Sequence, residues 1–599
     1  MSSTKDSFSI GYKKIALPNK QDLETLIMTE TSESNYNPFK INNLQNYNPI
    51  YSEIFELNKK NFNSISLNQK KQFIFDIQTT QENSVKYDEC FIKYSPLLDP
   101  FRYLTGKYDV KDTSLKVLPK IREKSNDSTD SFHKLIDPNN ASYIDNFFCY
   151  LVSQLKNHHE FINGIDYYGS FLGIQERFRV NIADDMDYLR NSQDFLTNKD
   201  ILYDIDILED DPFANFGSRK NKDKLVFHNQ SNISHFSVED LDSIDNTNES
   251  INNNEVNNDI EKIYENEESD DDSSNDSETN YTSDEEDGED HEEDDDDNSA
   301  IDQDEDEDDE DEEENDEEDE DDEEEEDDSA IDENDDENDD DIPIYAYIHD
   351  FPIQLICLEP CKNTIDSLFQ SGELDEKTAA AALMQIIMSL LVFQKCFHFT
   401  HNDLHTNNIM YIETEEEYLY YQFNNKIYKV PTYGKLYKII DFGRAIYKFQ
   451  GRTYCSDSFS PEGDANSQYN CEPYLNEKKP RLEPNYSFDL CRLGCSIFDF
   501  ILDEDYLEQD DSEEIDDLQR TVIRWCSDDN SKNVLYKKSG EERYPNFKLY
   551  KMIARTVHNH TPEAQLDDPY FSQFALSDKK SKIINSEKII DIDNLPCYI

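Results

Sequence analysis

The sequence predicts an α+β protein in which a small strand-rich lobe joins a larger, mainly helical one. Three observations predict it. Short segments with period-two alternation occur before residue 100 and again after residue 160. One segment of helical periodicity, residues 143–159, stands between them. After a last strand-forming stretch the rest of the chain is mostly helical in pattern.

Taken in order, residues 1–45 form a polar N-terminal arm with weak patterning, expected to be loose. Residues 46–235 make the strand-rich lobe with insertions, including the alternating stretches "KQFIFDI" and "DECFIKYS". The polar run "KVLPKIREKSNDSTDSFHK" reads as a surface insertion. In "YIDNFFCYLVSQLKNHH" the residues Ile144, Phe147, Phe148, Leu151, Val152 and Leu155 share a helix face. "FINGIDYYGSFLGI" and "RFRVNIAD" return to strand pattern. Residues 236–341 are a low-complexity acidic insertion: 45 of the 61 residues from Tyr281 to Asp341 are Asp or Glu, with no Lys or Arg. Such a run repels itself and has too little apolar surface to bury, so it is expected to be disordered.

Ordered sequence resumes for residues 342–577, which hold the end of the small lobe, a connecting segment and the helical lobe. The apolar strand Ile353–Leu358 leads into Glu359-Pro360. In "DEKTAAAALMQIIMSLLVFQKCFH" Leu383, Ile386, Ile387, Leu390 and Leu391 line one helix face, with Asp375 and Glu376 at its start, where the helix dipole favours negative charge. "YLYYQFNNKIYKVPTYGKLYKIIDFG" reads as a hairpin and a strand ending in Asp441-Phe442-Gly443. "SFDLCRLGCSIFDFIL" and "PNFKLYKMIARTVH" read as helices, and residues 578–599 as a C-terminal tail.

The formal charge of −79 is concentrated in residues 236–341, which carry 60 of those net negative charges. The sequence therefore predicts no direct nucleic-acid contact and an attraction for basic partners such as histones. The eleven cysteines include no CxxC pair, and Cys491 and Cys495 read as helix packing, not as zinc ligands. No secretion signal or membrane-spanning run is read in the sequence, which predicts a soluble, cytoplasmic protein without membrane contact.

The chemistry gathers in "FHFTHNDLHTNNIMYIE", residues 397–413. Phosphoryl transfer needs a group that orients an acceptor hydroxyl, oxygen ligands for a metal, and a cation on the nucleotide phosphates. His401, Asp403 and Asn408 stand in the spacing H-x-D-x-x-x-x-N. Asp403 can accept the acceptor's proton, and the Asn408 amide oxygen is a hard ligand suited to Mg²⁺. Asp441 adds a carboxylate at a strand end before Gly443, which lets the backbone turn sharply. Lys93, alone among apolar strand residues, is placed to reach phosphates. His401 itself reads as a packed core histidine, and His558 and His560 as a solvated helix end.

These motifs resemble the eukaryotic-type protein kinase superfamily from about Lys93 through the helix after Asp489. The resemblance implies a two-lobed fold with a small antiparallel lobe plus one helix. It makes "HNDLHTNN" the catalytic loop, with Asp403 the catalytic aspartate and Asn408 a magnesium ligand. It makes Asp441 the main ligand of Mg²⁺ or Mn²⁺, Lys93 the ATP-phosphate lysine, and "LICLEPC" the hinge, where backbone groups of Glu359 and Cys361 would bind adenine. Asp489, five residues before Gly494, would brace the catalytic loop from a buried helix. The chain departs from the family's pattern in several places. No glycine occurs between Gly11 and Gly106, the helix at 143–159 offers Asp145 where a glutamate is usual, and Asn402 replaces the usual arginine. Without that arginine there is no obvious pocket for a phosphorylated activation loop. His405 is haspin-like, and Asn408 and Asp441 are 33 residues apart, wider than the family norm. The intervening hairpin and "ERYPNFKLYKMIARTVH" resemble kinase-like proteins of giant amoeba-infecting DNA viruses, for which host cytoplasm or the virion would be the location.

The function expected is transfer of the ATP γ-phosphate to Ser or Thr hydroxyls of an unknown, basic protein substrate. Two alternatives stand beside it: a pseudokinase scaffold that binds basic partners through the acidic insertion, and a small-molecule phosphotransferase of the choline or aminoglycoside kinase type.

Overall fold

The computed structural model describes residues 7–14, 36–70, 90–121, 131–183, 185–205, 344–502, 515–537, 540–545, 547–577 and 589–599. They form a mixed α and β protein with several sheets. The chain divides into one unit of residues 1–263 with 341–599 and a second of residues 264–340. The second unit, the acidic insertion around it and the stretch "KQFIFDI" lie outside the described residues.

The N-terminal region holds β1 (Tyr12–Lys14), β2 (Ile41–Gln45) and β3 (Ile65–Leu67). Residues expected to form a loose arm are therefore partly built in. Phe8, Phe39 and Ile41 are buried, because apolar side chains spaced among the asparagines find neighbours to cover them. The main sheet runs β2, β5 (Tyr167–Asn181), β7 (Tyr345–Leu358), β4 (Phe91–Pro96), with β6 (Tyr203–Ile205) also against β7. Every pairing in it is antiparallel, and Lys93 on β4 stands opposite Ile356 on β7. β5 and β7 flank the acidic insertion in sequence and pair along nearly their whole length. The run expected to be a surface insertion is partly core: Leu118 and Ile121 are buried, since the run carries apolar residues among its charges.

Six helices position the rest: α1 (Ala141–His159), α2 (Ile365–Gln370), α3 (Glu376–Phe397), α4 (Phe488–Ile501), α5 (Asp517–Trp525) and α6 (Lys548–Thr556). α1 starts on an Asn140 cap that accepts from the Ser142 amide. α3 starts on a reciprocal Asp375/Thr378 capping box and ends at His398 in the left-handed region, φ 49°. It is buried on all sides from Ala379 to Phe397 apart from Lys395, and not along one face only. By length and hydropathy alone this 22-residue helix could cross a membrane, contrary to the reading that no run is long enough; 94% of its apolar window is instead buried inside the protein. Gly494 on α4 lets α5 approach: a Cβ there would lie 2.9 Å from Trp525 Cβ.

β8 (Asn363–Thr364), β9 (Ile409–Glu413) and β12 (Lys435–Ile439) form a small sheet. Between β9 and β12 the chain makes a hairpin of β10 (Tyr418–Phe423) and β11 (Lys426–Pro431). Its turn residues Asn424 and Asn425 both have positive φ, which asparagine tolerates and the primed hairpin turn requires. β13 (Ile446–Phe449) and β14 (Arg452–Cys455) form a separate hairpin. At the C-terminus β15 (Ile589–Asp591) pairs with β10, and the buried Tyr598 bonds His159 Nε2 at 2.7 Å through its hydroxyl. This end of the segment expected to be a tail is packed, because Ile590, Ile592, Leu595 and Tyr598 supply apolar surface.

Candidate active site

The site assembles where the ends of β12 and α3 meet the main sheet. β9 and β12 pair antiparallel, with Ile409 opposite Ile439. That pairing places the residues just before β9 beside those just after β12. The hairpin that widens the sequence interval between Asn408 and Asp441 is thus an excursion, and the Ile440 amide donates to the Asn408 carbonyl at 3.0 Å. His401 Nε2 meets the Ile440 carbonyl at 3.0 Å, and its ring is fully buried.

Asp489, the second residue of α4, accepts from the amides of His401 and Asn402, both at 2.9 Å. Burial pushes its carboxyl above the ordinary range, and the two amides together with His401 oppose that rise. Thr406 is held by its amide to Ser496 Oγ at 3.1 Å and by its hydroxyl to Asp366 on α2. Asn402, at φ 64°, donates to the Thr400 and Arg444 carbonyls and accepts from the Tyr469 hydroxyl at 2.8 Å. Where an arginine would bind a phosphate, an asparagine bridges three segments with neutral hydrogen bonds.

Lys93 reaches Asp145 Oδ2 at 2.9 Å and Asp441 Oδ1 at 2.8 Å. Burial alone would lower the lysine's pKa, but the two carboxylates outweigh it and raise it, so the group is cationic. Asp145 also accepts from the Phe442 amide at 2.9 Å through Oδ1. The shorter side chain that replaces the expected glutamate therefore serves both Lys93 and the backbone beyond Asp441. Asp441 sits at φ 61°, a conformation costly for a non-glycine residue and held here by its surroundings.

Lys93, Asp145, Asp403 and Asp441 line one cavity of about 390 Å³, together with Lys134 and Arg444. Glu359 and Cys361 are not among its lining residues. The Glu359 side chain turns inward instead: it pairs with the fully buried Lys438 at 2.8 Å and with Lys156 at 3.0 Å, and accepts from the Asp166 amide. Burial would raise its pKa, but the two lysines hold it below the usual range. Burial pushes the Cys361 thiol up to about 12.

Asn408 Nδ2 donates to the Asp403 carbonyl at 2.9 Å and contacts His405 Nε2 at 3.0 Å. Its Oδ1 is buried with no hydrogen-bond partner among the described residues. A buried acceptor left over in this way is costly, and a hard cation would satisfy it. Among the described residues no three His, Cys, Asp or Glu side chains cluster as a metal set. Of the two residues expected to hold such a cation, Asp441 lines the cavity and Asn408 is not among its lining residues. His558 bonds Asp529, and His560 bonds the Ser527 carbonyl.

The sequence reading missed Tyr550, whose hydroxyl donates to Asp403 Oδ1 at 2.7 Å from α6, and the buried Lys438. No spacing signal links residues 403 and 550. A lysine in an otherwise apolar strand, "KLYKII", was the signal available for Lys438.

No family model matches the chain. A 93-residue stretch, 14% of this chain and 12% of the relative, is 36% identical to serine/threonine-protein kinase haspin of Mus musculus. A 65-residue stretch, 11% of this chain and 8% of the relative, is 40% identical to the haspin of Bos taurus. The chain thus spans about a tenth of the length of these curated relatives, and the kinase-like relationship is local.

Proposed function

We propose that this chain is a protein kinase of two-lobed fold that transfers the γ-phosphate of ATP to Ser or Thr hydroxyls with Mg²⁺ or Mn²⁺. In this reading residues 46–235 are the small lobe with its insertions, and residues 342–577 hold the hinge and the large lobe. The observation that carries the reading is the convergence of Lys93, Asp145 and Asp441 on one cavity with Asp403. Local similarity to haspin supports it.

Lys93 is the cation for the nucleotide phosphates, and Asp145 keeps it in place. Backbone groups of Glu359 and Cys361 bind adenine. Asp403 orients the acceptor hydroxyl and takes its proton as the oxygen attacks Pγ, the new O–P bond forms, and the bond to the β-phosphate oxygen breaks to release ADP. Asp441 and Asn408 would hold the metal, which would supply positive charge to the phosphate oxygens. Asn402 and Tyr469 hold the segment after Asp441 without a phosphate, so transfer does not need prior phosphorylation there.

The experiment is incubation of the purified chain with radiolabelled ATP and Mg²⁺ or Mn²⁺, with histone, casein, choline and no acceptor in parallel. Label on protein that vanishes in Asp441→Ala and falls about 10²-fold or more in Asp403→Ala supports the reading. Label on choline alone, or none, sinks it in favour of the small-molecule or scaffold alternative. Residues 236–341 are proposed to attract basic proteins such as histones. Replacing them with a short Gly/Ser linker is expected to weaken histone capture at low salt and to leave Mg-ATP binding intact.

A further inference from the structure

Asp403 has a partner that comes from far along the chain. Tyr550, on α6, donates its hydroxyl to Asp403 Oδ1 at 2.7 Å. Arg492 on α4 donates from Nε to the same hydroxyl at 2.8 Å. A guanidinium N–H can only donate, so the tyrosine oxygen must accept from Arg492 and its single proton must go to Asp403. The donation therefore has one direction: Arg492 to Tyr550 to Asp403. Such a chain polarises each member toward the next.

The tyrosine is built in. It is 2% exposed. Phe547 stacks on its ring at 5.4 Å between centroids, and Phe488 lies at 6.0 Å. The guanidiniums of Arg492 and Arg444 stand 5.1 and 5.7 Å from its ring centroid. Arg444 follows the Asp441-Phe442-Gly443 turn directly and pairs with Asp464, so the ring also touches the segment that borders the cavity. A side chain fixed this tightly belongs to the packed framework behind Asp403, unlike an acceptor that must enter and leave.

We infer that Tyr550 is a positioning residue for Asp403, with Arg492 setting the direction of its hydroxyl, so that a C-terminal helix completes the catalytic loop. The inference rests on the reading of Asp403 as the acceptor of the substrate proton. A carboxylate can rotate about its last bond, and one donated hydrogen bond removes that freedom at the oxygen where it lands. The hydroxyl is therefore expected to act on turnover and to leave binding of either substrate nearly alone.

The test uses the full chain with Mg-ATP and histone as acceptor, and measures kcat, both KM values and the thermal midpoint. The variants are Asp403→Ala, Tyr550→Phe, Arg492→Met and the Tyr550→Phe/Arg492→Met double. Tyr550→Phe keeps the ring and removes only the hydroxyl. It is expected to lower kcat about tenfold, the scale of a hydrogen bond to a charged group, with both KM values within about twofold. In the double variant Arg492→Met is expected to add little to the loss in kcat, because the two residues act through one hydroxyl. An unchanged or raised kcat in Tyr550→Phe, with Asp403→Ala inactive, overturns this inference alone; a raised kcat would mark the hydroxyl as an occupant of the acceptor's place. A lowered midpoint with unchanged kcat overturns it too, as a purely structural role. Wild-type rates in Asp403→Ala, or no transfer by the wild type, overturn the kinase reading and this inference with it.

Discussion

Lys93 and Lys438 are both lysines on strands, both largely withdrawn from water and both paired with carboxylates, yet their surroundings differ. Lys438 is fully buried, and its three N–H donors are taken up by Glu359 at 2.8 Å and the carbonyls of Gly164 and Ile162 at 2.7 and 3.2 Å. Burial lowers its pKa despite Glu359. Lys93 keeps 15% of its side chain exposed, borders a cavity, and has two carboxylates for one cation. Its third N–H has no partner among the described residues. A satisfied lysine can only hold structure together, whereas one with a donor and a cavity before it can take a ligand. Lysine content alone does not separate the two roles; the count of filled donors does.

The comparison can be broken by exchanging the consequences. Lys438→Met removes one partner of a buried pair and strands two carbonyls, and is expected to cost about 3 kcal/mol or more of unfolding free energy by urea titration. Its folded fraction should still bind Mg-ATP. Lys93→Met is expected to do the reverse: transfer falls about 10²-fold, while stability falls less than in Lys438→Met because Lys93 and Asp441 keep 15% and 19% of their side chains exposed. If Lys93→Met unfolds the chain and Lys438→Met abolishes ATP binding, the assignment of the two lysines is reversed.

Glu359→Gln sharpens the structural half, with an expected cost of about 2 kcal/mol near neutral pH. The folded-state pKa of Glu359 is depressed, so the ion pair's contribution is complete above the ordinary glutamate value of about 4.3. It is lost as pH falls below that value through the folded one, so the wild type and Glu359→Gln should converge in acid. Urea midpoints between about pH 3 and 7 measure it, and a gap that widens in acid would contradict the sign.

Asp145→Asn sharpens the functional half. It keeps an acceptor for the Phe442 amide but removes the charge facing Lys93, and is expected to lower transfer about tenfold. The smallest effect expected is from Tyr469→Phe, which removes one neutral bond to Asn402 and should cost about 1 kcal/mol of stability. A loss of all transfer in that variant would give the bond more weight than a neutral hydrogen bond carries.

Much of the architecture was legible because the patterns are local. Periodicity located α1 and α3 to within a few residues, and the stretch read as a hairpin forms β10 and β11. The segments on either side of the acidic insertion read as neighbouring strands and pair as β5 and β7. Other features were not legible because they depend on packing partners. The one apolar face read for α3 became burial all round, since its alanines are covered as fully as its leucines. The second half of the expected tail packs because α1 and the hairpin present surfaces for it, and no local pattern reports that.

At the site, the sequence by itself determined the chemical groups and their order: a lysine on a strand, the Asp403 and Asn408 spacing, a carboxylate before a glycine, and a helix aspartate before Gly494. Tertiary structure alone decided that Asp145 reaches Lys93 and the Phe442 amide, that the Glu359 side chain faces Lys438, and that Tyr550 meets Asp403 across 147 residues. The physical reason is range. Residue type and spacing fix what a short segment can offer, because backbone geometry repeats over a few residues. Which offered group meets which depends on distances of a few ångströms between elements remote in sequence, and those are set only when the apolar surfaces of the whole chain are packed together.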